Sequence, residues 1–171
     1  MYIVLYQPEI PQNTGNIART CAATGAHLIL IEPLGFEISD KYLKRAGLDY
    51  FHLVDMQVLP SFEALMEKYP AARFHFASTK APRAYHEAVF EEDDFVVFGC
   101  ETKGLPESLL KRVYDRCIRI PMRKEARSLN LSNSVAIVLY EALRQQGFPG
   151  LMAEGSLTGR EDEVSPWMDY V

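Results

Sequence analysis

Cysteine is scarce in this chain. The three present, Cys21, Cys100 and Cys117, are odd in number and widely spaced. No CxxC pair occurs and no Cys/His cluster has zinc-ligand spacing, so neither a disulfide framework nor a structural metal is expected. The cysteines read as small core residues or inert thiols in a reducing compartment. Long apolar runs are missing as well, and nothing approaches the ~20 residues that span a bilayer. Met1 to Tyr6 has neither a basic leader nor a small-residue cleavage site, and reads as a strand rather than a signal peptide. A cytoplasmic protein with no membrane and no metal partner is the expectation. The glycine fingerprint GxGxxG does not follow the first strand, and no loop ends in the Gly-Lys-Ser/Thr of a Walker motif. That counts against an ordinary doubly wound dehydrogenase, which nicotinamide binding would reveal. There is no internal repeat.

Positive charge is also in deficit, with a formal net charge of −5 over 171 residues. The distribution matters more than the sum. Residues 1–150 carry 17 Lys+Arg against 18 Asp+Glu, whereas 151–171 carry 1 against 5. Between Lys103 and Arg127 stand eight basic residues, including Lys111, Arg112, Arg116, Arg119, Arg123 and Lys124, and only three acids. A local basic patch of this kind attracts phosphate even on an acidic protein. It is equally a solvated charged surface.

What the chain does have is 48% hydrophobic residues, enough for one domain with a real core. Runs rich in Val, Ile and Phe predict strands at Tyr2–Tyr6, His27–Ile31, Arg73–Ala77, Phe95–Phe98 and Cys117–Ile120. Between them, helices are predicted from Asn13 to Thr24 before Gly25, from a Ser61 cap to Tyr69, from Pro106 through Val113, and over Val135–Gln146 from a cap at Ser132 or Asn133. Strand–helix alternation predicts an α/β layered fold with a largely parallel sheet. Residues 1–150 read as the domain. Residues 151–171, with Gly155, Gly159, Pro166 and the acidic 161–163 run, read as an extension in which Trp167, Met168 and Tyr170 could dock.

Ligands bind beyond the carboxyl ends of parallel strands, and three loops there are unusually polar or glycine-bearing. The first is Pro8-Glu9-Ile10-Pro11-Gln12-Asn13-Thr14-Gly15-Asn16-Ile17-Ala18-Arg19, which opens a helix and suits an anion or RNA backbone. Arg19 is expected about one turn inside that helix. The second is Phe98-Gly99-Cys100-Glu101-Thr102-Lys103-Gly104-Leu105-Pro106, whose glycines permit positive φ and close backbone approach to a ligand. The third runs from Ile120-Pro121-Met122 through Arg127-Ser128-Leu129-Asn130-Leu131-Ser132-Asn133-Ser134. Its hydroxyls and amides suit a neutral hydrogen-bonding ligand such as an adenosine with an amino-acid tail. Each loop also has a bland reading as a capped turn.

Taken together, with Arg45-Ala46-Gly47-Leu48-Asp49-Tyr50 and Thr79-Lys80, these loops resemble the SPOUT superfamily, and within it the tRNA (cytidine(34)-2′-O)-methyltransferase group. The likeness spans residues 1–150 in order and spacing, and the 45–50 block favours this group over relatives acting on other RNAs. It implies a parallel-sheet fold with a deep C-terminal trefoil knot, a homodimer with its active site at the interface, and S-adenosylmethionine as donor. It implies 2′-O-methylation of nucleotide 34, cytidine or modified uridine, in the anticodon stem-loop of tRNA. By position, Ala77, Gly99, Ile120 and Ser128 are expected to form the donor pocket, flanked by Glu101, Gly104, Leu129 and Asn133. Arg19 is the expected catalytic residue. It serves either as the base, against the permanence of its charge, or as the group that grips phosphate and orients the hydroxyl. Asn13, Asn16, Lys103, Arg123, Arg127 and Tyr140 are the expected RNA contacts, with Lys124 beside them; Tyr140 reads equally as a core or dimer-interface residue. None of His27, His52, His75 or His86 falls in a loop of the site. Cys100 stands where this group often has proline, which predicts a looser second loop, and the tail from Leu151 lies outside the likeness. The alternatives are a SPOUT enzyme for another tRNA or rRNA nucleotide, which methylation mapping would reveal, and an RNA-binding module without catalysis, which would not bind the donor.

Overall fold

A computed structural model describes residues 1–37 and 53–157. The 45–50 block, His52 and the aromatic residues of the tail lie outside the described residues. Among the described residues, seven parallel strands form one sheet in the order β3-β2-β1-β6-β4-β7-β5. These are β1 (Tyr2–Tyr6), β2 (His27–Ile31), β3 (Met56–Leu59), β4 (Phe74–Ala77), β5 (Arg83–Ala84), β6 (Phe95–Phe98) and β7 (Cys117–Arg119). The helices are α1 (Pro11–Thr24), α2 (Phe62–Lys68), α3 (Glu107–Arg112) and α4 (Leu131–Gln145).

The two central strands, β1 and β6, carry only apolar and tyrosine side chains because both faces of the sheet are covered. Ile3, Leu5, Leu28, Leu30, Val96 and Phe98 pack with Ile17, Ala18 and Cys21 of α1 and Val135, Val138, Leu139 and Ala142 of α4. The alternate residues Val4, Ile29, Ile31, Phe95 and Val97 join Phe74, Phe76, Leu65 of α2 and Leu110 of α3 on the other face. Cys21 and Cys117 lie in these cores, and burial pushes the Cys21 thiol up to about 12 and raises that of Cys117. Both are therefore poor nucleophiles.

The predicted α/β parallel sheet is present, and β1, β2 and β6 have the expected bounds. Two edge strands, β3 and β5, were not foreseen: β3 is half exposed and β5 has only two residues. α1 starts at Pro11 rather than Asn13 and ends at Gly25, whose φ of 72° closes the helix in the left-handed region. Pro106 is the residue before α3, not its first. α4 starts four residues before the expected Val135, and its cap is Asn130 rather than Ser132 or Asn133. The Asn130 side chain accepts from the N–H groups of Ser132 at 2.9 Å and Asn133 at 3.3 Å. No helix of the described residues is long and apolar enough to cross a membrane.

Candidate active site

Where β4, β6 and β7 end, their hydrogen-bonded ladder stops and three loops diverge. The segments after these strands, together with Ile10 and Asn13 from the loop after β1, enclose a cavity of about 570 Å³. That lies within the ~300–1,000 Å³ range of small-molecule sites. Ala77, Gly99, Ile120 and Ser128 all line it, as do Glu101, Gly104 and Leu129. Asn133 does not. Asn130 and Ser134, which sequence reasoning did not single out, stand there instead, with Ser78 and Met122.

The middle loop is a tight hairpin rather than a slack one. The Gly104 N–H donates to the Cys100 carbonyl at 2.9 Å, Cys100 and Gly104 form an antiparallel bridge, and Gly104 has φ 68°. The expected loosening at Cys100 is thus absent. Gly99 has a different reason for being glycine from the one the sequence suggests. A Cβ there would sit 2.0 Å from the Gly104 carbonyl carbon and 2.1 Å from the Leu105 nitrogen. The close approach at this position is of the loop to itself, which seats the hairpin over the cavity.

The first loop is tied to the second by crossed carboxylates. Glu101 accepts from the N–H groups of Glu9 at 2.8 Å and Ile10 at 3.2 Å, and from Asn13 Nδ2 at 2.9 Å. Glu9 in turn accepts from Thr102, through its N–H at 3.1 Å and its hydroxyl at 2.9 Å. The third loop joins through Asn130, whose Nδ2 donates to Asn13 Oδ1 at 2.9 Å. Asn13 is only 6% exposed with both ends of its amide engaged, so it ties the loops together where they meet the cavity.

The remaining expected residues are on the surface. Lys103 and Arg127 stand on the cavity rim, and Arg123 is exposed nearby in the sequence of the third loop. Asn16 and Arg19 lie on the exposed stripe of α1, and Tyr140 on that of α4 with Ile137 and Arg144. Because α1 begins at Pro11, Arg19 is eight residues in, ~12 Å along the axis at 1.5 Å per residue. It lies more than two turns from the helix start, not one. Lys80 also lines the cavity and pairs with Glu107.

At the opposite end of the sheet a second polar cluster lies apart from the cavity. The Asp94 carboxylate, 4% exposed, accepts from Arg73 Nε at 2.7 Å and Nη2 at 2.6 Å, from the Glu91 N–H at 3.0 Å, and from His75 Nε2 at 2.8 Å. Burial raises the Asp94 carboxyl, but the hydrogen bonds outweigh it and hold the group below the usual carboxylate range. Burial holds His75 below its ordinary value. Among the described residues no group of three or more His, Cys, Asp or Glu side chains is arranged to hold a metal ion.

Relatives carry the same architecture. A protein of Methylovorus glucosotrophus named tRNA (cytidine(34)-2′-O)-methyltransferase is 50% identical, over 86% of this chain and 97% of its own. A solved structure described as "Structural insights into the 2-OH methylation of C/U34 on tRNA" is 49% identical, over 85% of this chain and 95% of that one, with a TM-score of 0.81. The SpoU methyltransferase AviRb from Streptomyces viridochromogenes, in complex with the cofactor AdoMet, is 25% identical over 85% of this chain and 57% of its own, with a TM-score of 0.76. Residues 1–140 match the SpoU rRNA Methylase family, and the chain belongs to it.

Proposed function

We propose that this protein is a tRNA 2′-O-methyltransferase, moving a methyl group from S-adenosylmethionine to the ribose of nucleotide 34, cytidine or modified uridine, in the anticodon stem-loop. The observation that carries the reading is the convergence of the loops after β4, β6 and β7 on one cavity of about 570 Å³, lined by Ala77, Gly99, Ile120 and Ser128. The names of the relatives at about 50% identity point to the same nucleotide. The cavity suits the donor chemically. Leu105, Ile118 and Val138 give it apolar walls for a purine, while Ser78, Ser128 and Asn130 give it hydrogen-bonding groups for a ribose and an amino-acid tail. When bound, the donor supplies an activated methyl on a sulfonium. What remains for the protein is to position the ribose hydroxyl and manage its proton.

Arg19 is the residue proposed for that task, either taking the proton or holding the adjacent phosphate so that the hydroxyl is aligned. Its place ~12 Å along α1 and on the exposed stripe supports a composite site, in which Arg19 of one protomer serves the donor cavity of another. Ile137 and Tyr140, 36% and 46% exposed on the neighbouring stripe of α4, are the apolar surface for such a homodimer. Lys103, Arg123 and Arg127 serve the RNA phosphates, with Asn16, three residues before Arg19 on the exposed stripe of α1. A deep trefoil knot is proposed for the C-terminal part. In support, the chain leaves β7 near one edge of the sheet, lines the cavity through 127–131, and returns as α4 to pack on α1. The family match over 1–140 supports residues 1–150 as the domain and 151–171 as an extension. A cytoplasmic location accords with a tRNA substrate.

The test is to incubate the pure protein with total tRNA and isotopically labelled donor, then map 2′-O-methylation. Label confined to nucleotide 34 is the expected result. Label elsewhere would make it a family member for another nucleotide, and donor binding without transfer to any RNA would overturn the reading.

A further inference from the structure

We propose that Glu9 is a positioning residue that couples the donor cavity to the RNA-side helix α1, so that donor and RNA bind cooperatively. The inference rests on the function proposed above. The strands β1 and β6 are neighbours in the sheet, yet the chain leaves β1 towards β2 on one side and β6 towards β7 on the other. Such a divergence opens a crevice that in open α/β sheets commonly takes a ligand. Here it is closed by protein groups. Glu9 and Glu101 cross it in opposite senses, each carboxylate accepting from the backbone of the other's loop. One such bond would merely brace a loop. The reciprocal arrangement means that neither loop can shift without breaking bonds of both.

Glu9 also cannot retreat. The Gly35 N–H donates to the Pro8 carbonyl at 2.9 Å, and a Cβ on Gly35 would lie 2.7 Å from the Glu9 Cα. The backbone at Glu9 is therefore held from behind by the 33–35 turn and from the front by Glu101. A ligand that fixes the 99–105 hairpin from inside the cavity must thereby fix Glu9, Ile10 and the first turn of α1, which starts at Pro11. The helix is a rigid element and carries Arg19 and Asn16. By linkage, a donor that steadies this unit strengthens RNA binding, and RNA strengthens donor binding by the same factor.

Glu9→Ala separates this from a bracing role. Alanine removes both acceptor oxygens, whereas a glutamine keeps both contacts by accepting from the Thr102 N–H and donating to the Thr102 hydroxyl oxygen. The probes are S-adenosylhomocysteine, which binds without reacting, and an anticodon stem-loop RNA. In the wild type, the RNA is expected to tighten S-adenosylhomocysteine binding by about fivefold or more. In Glu9→Ala the tightening falls to less than twofold, while each ligand alone binds within about threefold of wild type, and Glu9→Gln restores most of it. Thr102→Val, which keeps the backbone bond, lowers it in part, and the Glu9→Ala/Thr102→Val double variant is no worse than Glu9→Ala. Hydrogen exchange gives a readout free of RNA: S-adenosylhomocysteine protects the amides of residues 9–13 in wild type but not in Glu9→Ala. Wild-type coupling and protection in folded Glu9→Ala would overturn the proposal, as would a wild type with no protection at 9–13. If donor protects 9–13 in wild type but not in Glu9→Ala and no RNA binds, the link from cavity to α1 stands, while the cooperativity with RNA and the proposed function fail.

Discussion

The side-chain amide of Asn130 donates to the Asn13 carbonyl oxygen at 2.9 Å, joining residues 117 positions apart. Asn130 simultaneously caps α4 through its own carbonyl oxygen. Asn130→Ala therefore removes a helix cap and an inter-loop bond together. The cap alone is worth about 1–2 kcal/mol, which in a chain of this size lowers Tm by about 2–8 °C. Thermal melts should show that fall, accompanied by weaker donor binding. Ser132→Ala, at the position the sequence favoured as a cap, should change Tm by less than half as much.

Gly99→Ala should abolish donor binding, even though alanine is the smallest possible change. The added carbon meets backbone at 2.0 and 2.1 Å, and backbone cannot swing aside as a side chain would. The 99–105 hairpin must open. Gly25→Ala is the contrast: nothing lies within 4 Å, and only the positive φ opposes it. It should cost about 1–2 kcal/mol of stability and leave donor affinity unchanged. Calorimetry on both variants checks the pair; donor affinity near wild type in Gly99→Ala would place the pocket elsewhere.

Arg19→Ala should leave donor affinity near wild type and reduce single-turnover methylation by about 10²–10⁴, the range of a lost acid–base group. Arg19→Lys discriminates between its two roles. If the residue only adds positive potential, lysine restores much of the rate. If it holds phosphate and hydroxyl together through its planar fork, or takes the proton, lysine stays impaired. A fully active Arg19→Ala would remove it from the site.

Acid should destabilise the protein in two stages, both from the cluster at the far end of the sheet. His75 is held below its ordinary value by burial, so its contribution is complete above the unfolded pKa of ~6.5 and is lost as pH falls through the lower folded value. Asp94 is also depressed, by hydrogen bonds that outweigh burial, so its contribution is lost only below ~3.9. Urea melts from pH 8 to 3 should show both stages. His75→Gln should flatten the first, and Asp94→Asn should cost about 2–3 kcal/mol at neutral pH, because an amide lacks the charge and one of the two oxygens that accept from Arg73, His75 and Glu91.

Much of this was legible in the sequence because the central strands are unbroken apolar runs, and runs buried on both faces need no alternation to be recognised. β3 was not, because Met56-Gln57-Val58-Leu59 is a half-exposed edge whose pattern matches neither a buried nor an alternating strand. The residues expected to bind the donor were placed by likeness, and Ala77, Gly99, Ile120 and Ser128 do line one cavity. The cap of α4 was misplaced because Asn130, Ser132 and Asn133 are equally good cappers; the choice falls to Asn130, which Asn13 engages from a distant segment. Glu9 and Thr102 were visible only as loop residues, since nothing local marks a pairing across 93 positions.

The packing of α1 against α4 also bears on how the chain is made. One face of the sheet is closed by these two helices, yet about a hundred residues separate the end of α1 from the start of α4. At ~5–20 residues per second, ~5–20 s of synthesis pass between them. Through that interval Ile3, Leu5, Leu28 and Leu30 have only half their cover. Folding here waits on the ribosome, and nascent chains stalled before residue 131 should be the form in which chaperones hold this protein.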